Sequence, residues 1–504
     1  MYLTDPEHDK KRIEESKGGL LGDSCRWILD HADFQRWRND PQSRLLWVKG
    51  DPGKGKTMLM CGSIDELKKS SLVSFFLCQA TDSRINNGIA VLRGLIYSLV
   101  AQQPPLINLV RKSYDVAGKA LFETPNAWVA LSGIFTDILR DPNLKLAYLI
   151  IDALDECVTG LPQLLELIVQ SLSSSICVKW LLSSRNEPDI ERQLRLDDAR
   201  ARLSLELKDN EEHVSHAVKV YIDDKVAKME SLQDDDQLRD QVRVTLHRKA
   251  NDTFLWIALV VQELERVNVW EVEQVLEEVP TGLDALYARM MSQIQQLERR
   301  NPEFCQQVLS ATLVTYRPLH LLELGMISGL PQAISKKADN VLKIVSMCGS
   351  FLTIQDSQVY FIHQSAKDYL LDKASITLFP SGTAKTHRDI FTQSLALMSR
   401  ILKRDMYSLN APGFPIGEVS APEMDPLTSA RYSCVHWVDH LCDSKPACGG
   451  WLGGDDDLQD GGTVQTFLEK KYLYWLEALS LRSSMSEGVI AIKKLEELVS
   501  TEAV

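Results

Sequence analysis

Nothing in this chain approaches the run of about 18 continuous apolar residues that a membrane-spanning helix needs, so a membrane partner is not expected. The opening segment, MYLTDPEHDKKRIEE, is charged and lacks the apolar core of a secretion signal. No C-x-x-C pair occurs among the ten cysteines. They therefore read as reduced, mostly buried thiols of an intracellular protein, and a cytoplasmic location is expected. Positive charge is in deficit: 56 Lys and Arg against 69 Asp and Glu give a net charge of −13. That balance argues against nucleic acid or an anionic lipid surface as the main partner. There is no internal repeat with a period of about 20–50 residues, and no N-K-x-D motif for reading guanine.

What is present is an ordinary globular composition, 44% hydrophobic and 25% charged, over 504 residues. That length is enough for about three domains. Leu45, Leu46, Trp47 and Val48 form an apolar strand that runs into Gly50-Asp51-Pro52-Gly53-Lys54-Gly55-Lys56-Thr57. This is a complete G-x-x-x-x-G-K-[ST]. Its glycines allow positive φ, so that backbone N–H groups turn inward on a phosphate. The following helix, Gly55–Lys68, points its positive dipole end at the same anion, with Met58 in its first turn. Lys56 can reach the terminal phosphates, and the Thr57 hydroxyl can ligate Mg2+.

A second motif follows an apolar strand at Leu146–Asp152. A hard cation carrying phosphates wants one carboxylate beside the loop hydroxyl, and Asp152 is the candidate. An acid just beyond can orient or deprotonate an attacking water. Glu156 is the first choice for that role and Asp155 the second. A third strand, Val178–Ser183, ends in Ser183-Ser184-Arg185. Arg185 either senses the terminal phosphate or simply caps a helix or pairs with Glu187 or Asp189.

Around these motifs, apolar strands at Leu72–Cys78 and Leu203–Leu207 alternate with helical stretches at Ile89–Gln102 and Trp128–Leu139. Alternation of this kind predicts a parallel sheet with helices on both faces, with its site at the carboxyl ends of the strands. Cys25–Arg38 reads as one helix before the first strand, and Asp5–Ile13 as either a base cover or a solvated arm. From about residue 210 the pattern turns helical, with a buried Phe254–Val261 run. Further on, Gly349–Ile354 and Val359–Ile362 form a wing-like hairpin after a helix set, and His363 opens the helix Gln364–Leu371. A lone histidine there is either structural or placed to reach a phosphate. Cys434, His436, His440 and Cys442 invite a metal reading. Helical spacing puts only His436 and His440 on one face, too few ligands, so a structural role is expected. The segment at 449–462 reads as an acidic linker, and Asn410–Pro426 as a Pro-rich loop.

Together the glycine loop, the Asp152-to-Glu156 block, the Ser-Ser-Arg185 strand end, the ANDTFLWIALVVQEL helix and the FIHQSAKDYLL helix resemble the NACHT P-loop NTPases of fungal NOD-like receptors, of the vegetative-incompatibility type. The resemblance covers roughly residues 1–380. It implies a fold that is an α/β P-loop NTPase followed by a helical domain, a winged-helix domain and a helical tail. The boundaries expected are a lead-in at 1–43, the NTPase domain at 44–208, the helical domain at 209–300, the winged helix at 301–380 and a connector at 381–504. It implies Mg2+ with ATP/ADP or GTP/GDP as cofactors. Residues Gly50–Thr57 would be Walker A, Asp152 the Mg2+ ligand, Asp155 and Glu156 the extended Walker B acids, and Arg185 sensor 1. His363 would be the winged-helix histidine that contacts the diphosphate. The family places a glycine where Ala153 stands. Its N-terminal effector and C-terminal repeat sensor are expected to lie outside this chain. The function implied is a slowly hydrolysing signalling switch that opens and forms homo-oligomers with triphosphate bound. The alternatives are a P-loop motor ATPase or kinase, or a scaffold with a structural nucleotide.

Overall fold

The computed structural model describes residues 5–17, 19–118, 122, 126–174, 177–194, 201–410, 414–415, 419–422, 425–445 and 457–502. It divides into two compact units, Met1–Arg289 and Met290–Val504.

In the first unit, three helices, Pro6–Ser16 (α1), Gly22–Asp30 (α2) and Ala32–Asn39 (α3), lead into strand Leu45–Lys49 (β1). There follow Lys56–Lys68 (α4), Leu72–Leu77 (β2), Gly88–Gln102 (α5), Ile107–Ala117 (α6), Ala127–Arg140 (α7) and Ala147–Asp152 (β3). Then come Leu161–Ser174 (α8), Val178–Ser184 (β4), Pro188–Leu194 (α9) and Arg202–Glu206 (β5). A helical group closes the unit: Glu211–Lys228 (α10), Asp236–Lys249 (α11), Phe254–Leu264 (α12), Val272–Glu278 (α13) and the start of Leu283–Gln295 (α14).

The five strands form one all-parallel sheet in the order β2-β3-β4-β1-β5. A parallel sheet is covered on both faces, which is why its central strands read as unbroken apolar runs rather than alternating ones. Every residue of β3 and β4 is buried, as are four of the five in β1. The order has one consequence for chemistry. Strand β4 lies between β1, which feeds the glycine loop, and β3, which ends in Asp152.

The single helix expected over Cys25–Arg38 is two helices, broken at His31. That residue is extended (φ −64°, ψ 138°), and its Nδ1 accepts from the Asp33 N–H at 3.2 Å, an N-cap that starts a new helix. Several helices were not anticipated, among them α6, α8, α9 and α13. For α6, Pro104-Pro105 reads as a stop, yet both prolines lie in a helical turn that leads directly into it. For α8 the apolar run Leu161–Ser174 was passed over between two strands.

In the second unit, Asn301–Val314 (α15), Leu319–His320 (β6), Leu321–Ile327 (α16), Gln332–Ser335 (α17) and Ala338–Met347 (α18) precede the hairpin Leu352–Gln355 (β7) and Gln358–Phe361 (β8). Asp356 and Ser357, at φ 48° and 62°, make the tight two-residue turn that matches strand twist. The hairpin is joined by the short, unanticipated β6 to give the order β6-β8-β7. This is a winged helix, completed by Gln364–Asp372 (α19) and Ser375–Leu378 (α20). The helical tail is Thr383–Ile401 (α21), Arg431–Asp443 (α22), Thr463–Leu481 (α23) and Met485–Glu502 (α24), packed around Trp437 and Trp475. Most of the acidic stretch read at 449–462 and parts of the Asn410–Pro426 loop fall outside the described residues.

One buried cation fastens the lead-in to the sheet. Lys179 on β4 is 6% exposed, and its Nζ donates to the carbonyls of Trp37 (2.5 Å), Asp40 (2.7 Å) and Arg38 (3.2 Å) at the end of α3. Burial pushes its pKa down, against the pull of Asp40. Helix-end carbonyls welcome a cation. Replacing Lys179 by Met leaves them unpaired and should lower the unfolding free energy by about 2 kcal/mol. Urea denaturation of the two proteins side by side checks this, and an unchanged midpoint refutes it.

Candidate functional site

The glycine loop sits where β1 meets α4. Gly53 and Gly55 have φ +76° and +85°, the left-handed region that glycine enters without cost. A second reason for glycine here was not visible in the sequence. A Cβ on Gly53 would lie 2.9 Å from Thr253 Cγ2, and one on Gly55 2.9 Å from the Phe254 ring. The turn from α11 into α12 therefore presses on the loop from outside, and Lys54 Nζ donates to the Asn251 carbonyl at 2.9 Å. Asp51 is exposed, while Pro52 and Met58 are half-buried. The Met58 N–H closes the first turn on the Gly55 carbonyl at 3.0 Å.

Lys56 folds back on the loop: its Nζ donates to the carbonyls of Gly50 (2.5 Å) and Asp51 (2.9 Å). Burial pushes its pKa down, opposed by the charges of Asp155 and Asp152. A desolvated ammonium held only by carbonyl dipoles suits an incoming anion.

Asp152 ends β3 at 2% exposure. The Ser183 hydroxyl on β4 donates to its Oδ1 and accepts from the Ala153 N–H at 2.9 Å. Ser183 is thus a positioning residue, and it was read only as part of a strand end. Asp155 is committed to Arg185: its Oδ2 lies 3.1 Å from the guanidinium Nε and its Oδ1 accepts the Arg185 N–H at 3.0 Å. Arg185 is thus paired with Asp155, a partner not among those weighed from the sequence. Burial raises the Asp155 pKa, against Arg185 and Lys56. Glu156 is half-buried, and its Oε2 accepts the Ala80 N–H at 2.9 Å. Burial and then the charge of Asp155 push its pKa up to about 7. A carboxyl tuned to that range is suited to proton exchange with water.

A hydroxyl (Thr57) and a held carboxylate (Asp152) are hard oxygen donors, which Mg2+ prefers in company with water and phosphate. Among the described residues no group of three or more His, Cys, Asp or Glu is placed to hold a metal by itself. A Mg2+–nucleotide does not need one, so the residues present fit.

His363 lies in the second unit as the N-cap of α19. Its Nδ1 accepts the Ser365 N–H at 3.1 Å and lies 2.9 Å from the Ser365 hydroxyl. That engagement leaves the proton of the neutral ring on Nε2. The tail residues that invited a metal reading have other partners. His440 Nε2 lies 2.6 Å from the Tyr432 hydroxyl and its Nδ1 2.9 Å from His387 Nδ1, while His436 Nδ1 lies 2.8 Å from Asp439. Cys434 is buried.

A parallel sheet whose glycine-loop strand and acid-tipped strand are separated by one strand, with the loop opening a helix, defines a P-loop NTPase. The family described as Nephrocystin 3, N-terminal, matches residues 23–185. The chain is 51% identical to "Vegetative incompatibility protein HET-E-1" of Podospora anserina over 518 aligned residues, 99% of this chain, and spans 38% of that relative's length. It belongs to the NACHT-type P-loop NTPases of the vegetative-incompatibility class. Solved structures that resemble it include a Walker-type ATPase of Pyrococcus abyssi (13% identity, 73% of this chain, 96% of that one, TM-score 0.33). Another is Drosophila ORC bound to DNA (12% identity, 72% and 92%, TM-score 0.35). No described helix is long and apolar enough to cross a membrane.

Two predictions follow from this geometry. Ala153 sits at φ 56°, where an L side chain is strained. Ala153→Gly should stabilise the fold by about 1 kcal/mol, relief of strain outweighing the added freedom of the unfolded chain. A lower urea midpoint would contradict it. The second concerns Glu156. Its folded pKa is raised from 4.5 to about 7. The folded state therefore binds the proton more tightly, and stability drawn from Glu156 is present below 4.5 and lost as pH rises towards 7. Glu156→Gln should match wild type near pH 4, gain on it progressively up to about pH 7 and hold a constant advantage above, as read by thermal midpoints.

Proposed function

We propose that this chain is the nucleotide-operated core of a signalling receptor in fungal self/non-self recognition or innate immunity. The observation that carries the reading is the desolvated Lys56, held on the Gly50 and Asp51 carbonyls inside a loop of left-handed glycines. In this reading ATP or GTP enters with its phosphates on the loop N–H groups and the α4 N-terminus, and Lys56 transfers from the carbonyls to the terminal phosphates. Thr57 and Asp152 hold Mg2+, which when bound screens the phosphate charge. Glu156 takes a proton from the attacking water. Arg185, oriented by Asp155, faces the terminal phosphate from the end of β4. The contact of His363 with the diphosphate is proposed on the family resemblance alone.

Hydrolysis is slow and resets a switch whose triphosphate form opens and associates with further copies, in the cytoplasm. The working division of the chain remains 44–208 for the NTPase domain, 209–300 for the helical domain, 301–380 for the winged helix and 381–504 for the connector.

The test begins with mass spectrometry of nucleotide released from purified protein, which names the purine. Calorimetry with that nucleotide should then show binding to wild type and none to Lys56→Ala. Equal affinity would refute the site. The oligomeric state compared across apo, diphosphate and triphosphate forms should change; a constant state would favour a scaffold instead.

A further inference from the structure

One cation whose charge reaches Lys56 and Glu156 has no role in this scheme. Helix α1 runs antiparallel along α4, and ion pairs mark the register. Glu7 meets Lys68 at 2.6 Å, and one turn on Lys10 meets Asp65 at 2.9 Å. A further turn on, the charge of Glu14 acts on Cys61. Each step along α1 is matched by a step back along α4 towards the glycine loop. The next turn of this register brings Lys17 level with Thr57 and Met58, the first turn of α4. The electrostatics agree: the Lys17 charge acts on Lys56, Cys61 and Glu156.

The end of α1 is also well fixed. Lys17 is its C-cap, with its N–H shared between the Ile13 and Glu14 carbonyls at 3.2 Å, and the Gly19 N–H (φ +87°) bonds the Glu14 carbonyl at 2.9 Å. Arg12 donates to the Gln79 side chain at 3.2 Å, next to Ala80, whose N–H holds Glu156. Helix α1 therefore bridges the loop helix and the acid. Among the described residues no carboxylate forms a salt bridge with Lys17. A helix C-terminus carries partial negative charge, the wrong sign for a neighbour of phosphate. A lysine at that cap reverses the sign.

We propose that Lys17 is a phosphate-contacting residue of the nucleotide site, delivered by the N-terminal helix to the first turn of the glycine-loop helix. The inference rests on the P-loop reading above and adds to it a second lysine acting on the nucleotide di- or triphosphate. It gives α1 a part in nucleotide binding through its C-cap rather than through its Asp5–Ile13 face.

The experiment titrates the full chain by calorimetry with the Mg2+ complexes of ADP, ATP, GDP and GTP and with adenosine and guanosine. Lys17→Ala should weaken the di- and triphosphates of the purine that wild type binds by about tenfold, leave the nucleoside unchanged, and keep the nucleotide-free thermal midpoint. Lys17→Arg should stay within about threefold of wild type, since it keeps the charge. Phosphate affinities for Lys17→Ala within about twofold of wild type, or an equal loss for the nucleoside, would overturn the proposal. The two readings fail differently. If wild type binds no nucleotide, the P-loop reading falls and takes this one with it. If wild type binds, Lys56→Ala does not and Lys17→Ala does as well as wild type, this inference falls alone.

Discussion

Desolvation of like and unlike charges in one crevice is the constraint on which the NTPase unit depends. Lys56, Arg185, Asp152, Asp155 and Glu156 gather beyond the carboxyl ends of β1, β3 and β4, where each is at least half-buried. Burial pushes the pKa of Lys56 down and those of Asp155 and Glu156 up, each towards its neutral form. The structure answers this unequally. Asp155 receives a guanidinium and a backbone N–H, and Asp152 a hydroxyl. Glu156 receives one backbone N–H and sits beside a like charge, so its pKa climbs. Lys56 receives only carbonyl oxygens. Full charges without full partners are costly in the empty site and favourable once an anion with its cation arrives, and that difference is binding free energy.

The sheet order decides which of these groups meet. Because β4 separates β1 from β3, the residue after β4 stands between the glycine loop and the acids. Arg185 occupies that point, and Ser183, two residues before it, turns its hydroxyl to Asp152. The Ala153 N–H completes the same hydrogen-bond chain through Ser183, and the left-handed backbone at Ala153 redirects the chain so that Asp155 and Glu156 follow on the correct side. Glycine would make the same turn without a Cβ penalty. The alanine stores strain next to the acids, where a rigid backbone helps hold carboxylates in place.

Much of this was legible in the sequence because it is local. The loop is a contiguous pattern, the strands are unbroken apolar runs, and Asp152 and Arg185 each terminate such a run. The wing could be read from two short strands around a turn. What escaped depends on residues far apart in the chain. Neither the strand order nor the Ser183–Asp152 bond leaves a mark on composition or periodicity. Prolines at 104 and 105 do end α5 as read, but that they also open the next helix was missed, because proline is read as a stop more readily than as an entry. His31 broke a helix by accepting a backbone N–H through a ring nitrogen, and histidine is a less common cap than Ser, Asp or Asn. The register of α1 on α4 is carried by pairs about 60 residues apart, such as Lys68 with Glu7.

The roof of the glycine loop shows how these parts become one machine within the first unit. Gly53 and Gly55 face Thr253 and Phe254 at distances that leave no room for a methyl group, and Lys54 is tied to the Asn251 carbonyl. Phe254 in turn stands edge-on to Tyr221 of α10 at 5.4 Å, and α12 is anchored at its far end by Glu263, which Arg289 grips at 2.7 Å while reaching Glu278 at 3.1 Å. Close-packed contacts of this kind shift as a block rather than yield smoothly. Any displacement of the loop backbone towards α12 would meet Thr253 and Phe254 at once, and Tyr221 of α10 behind them. The left-handed turn of the loop and its close packing against the helical group thus depend on the same two glycines.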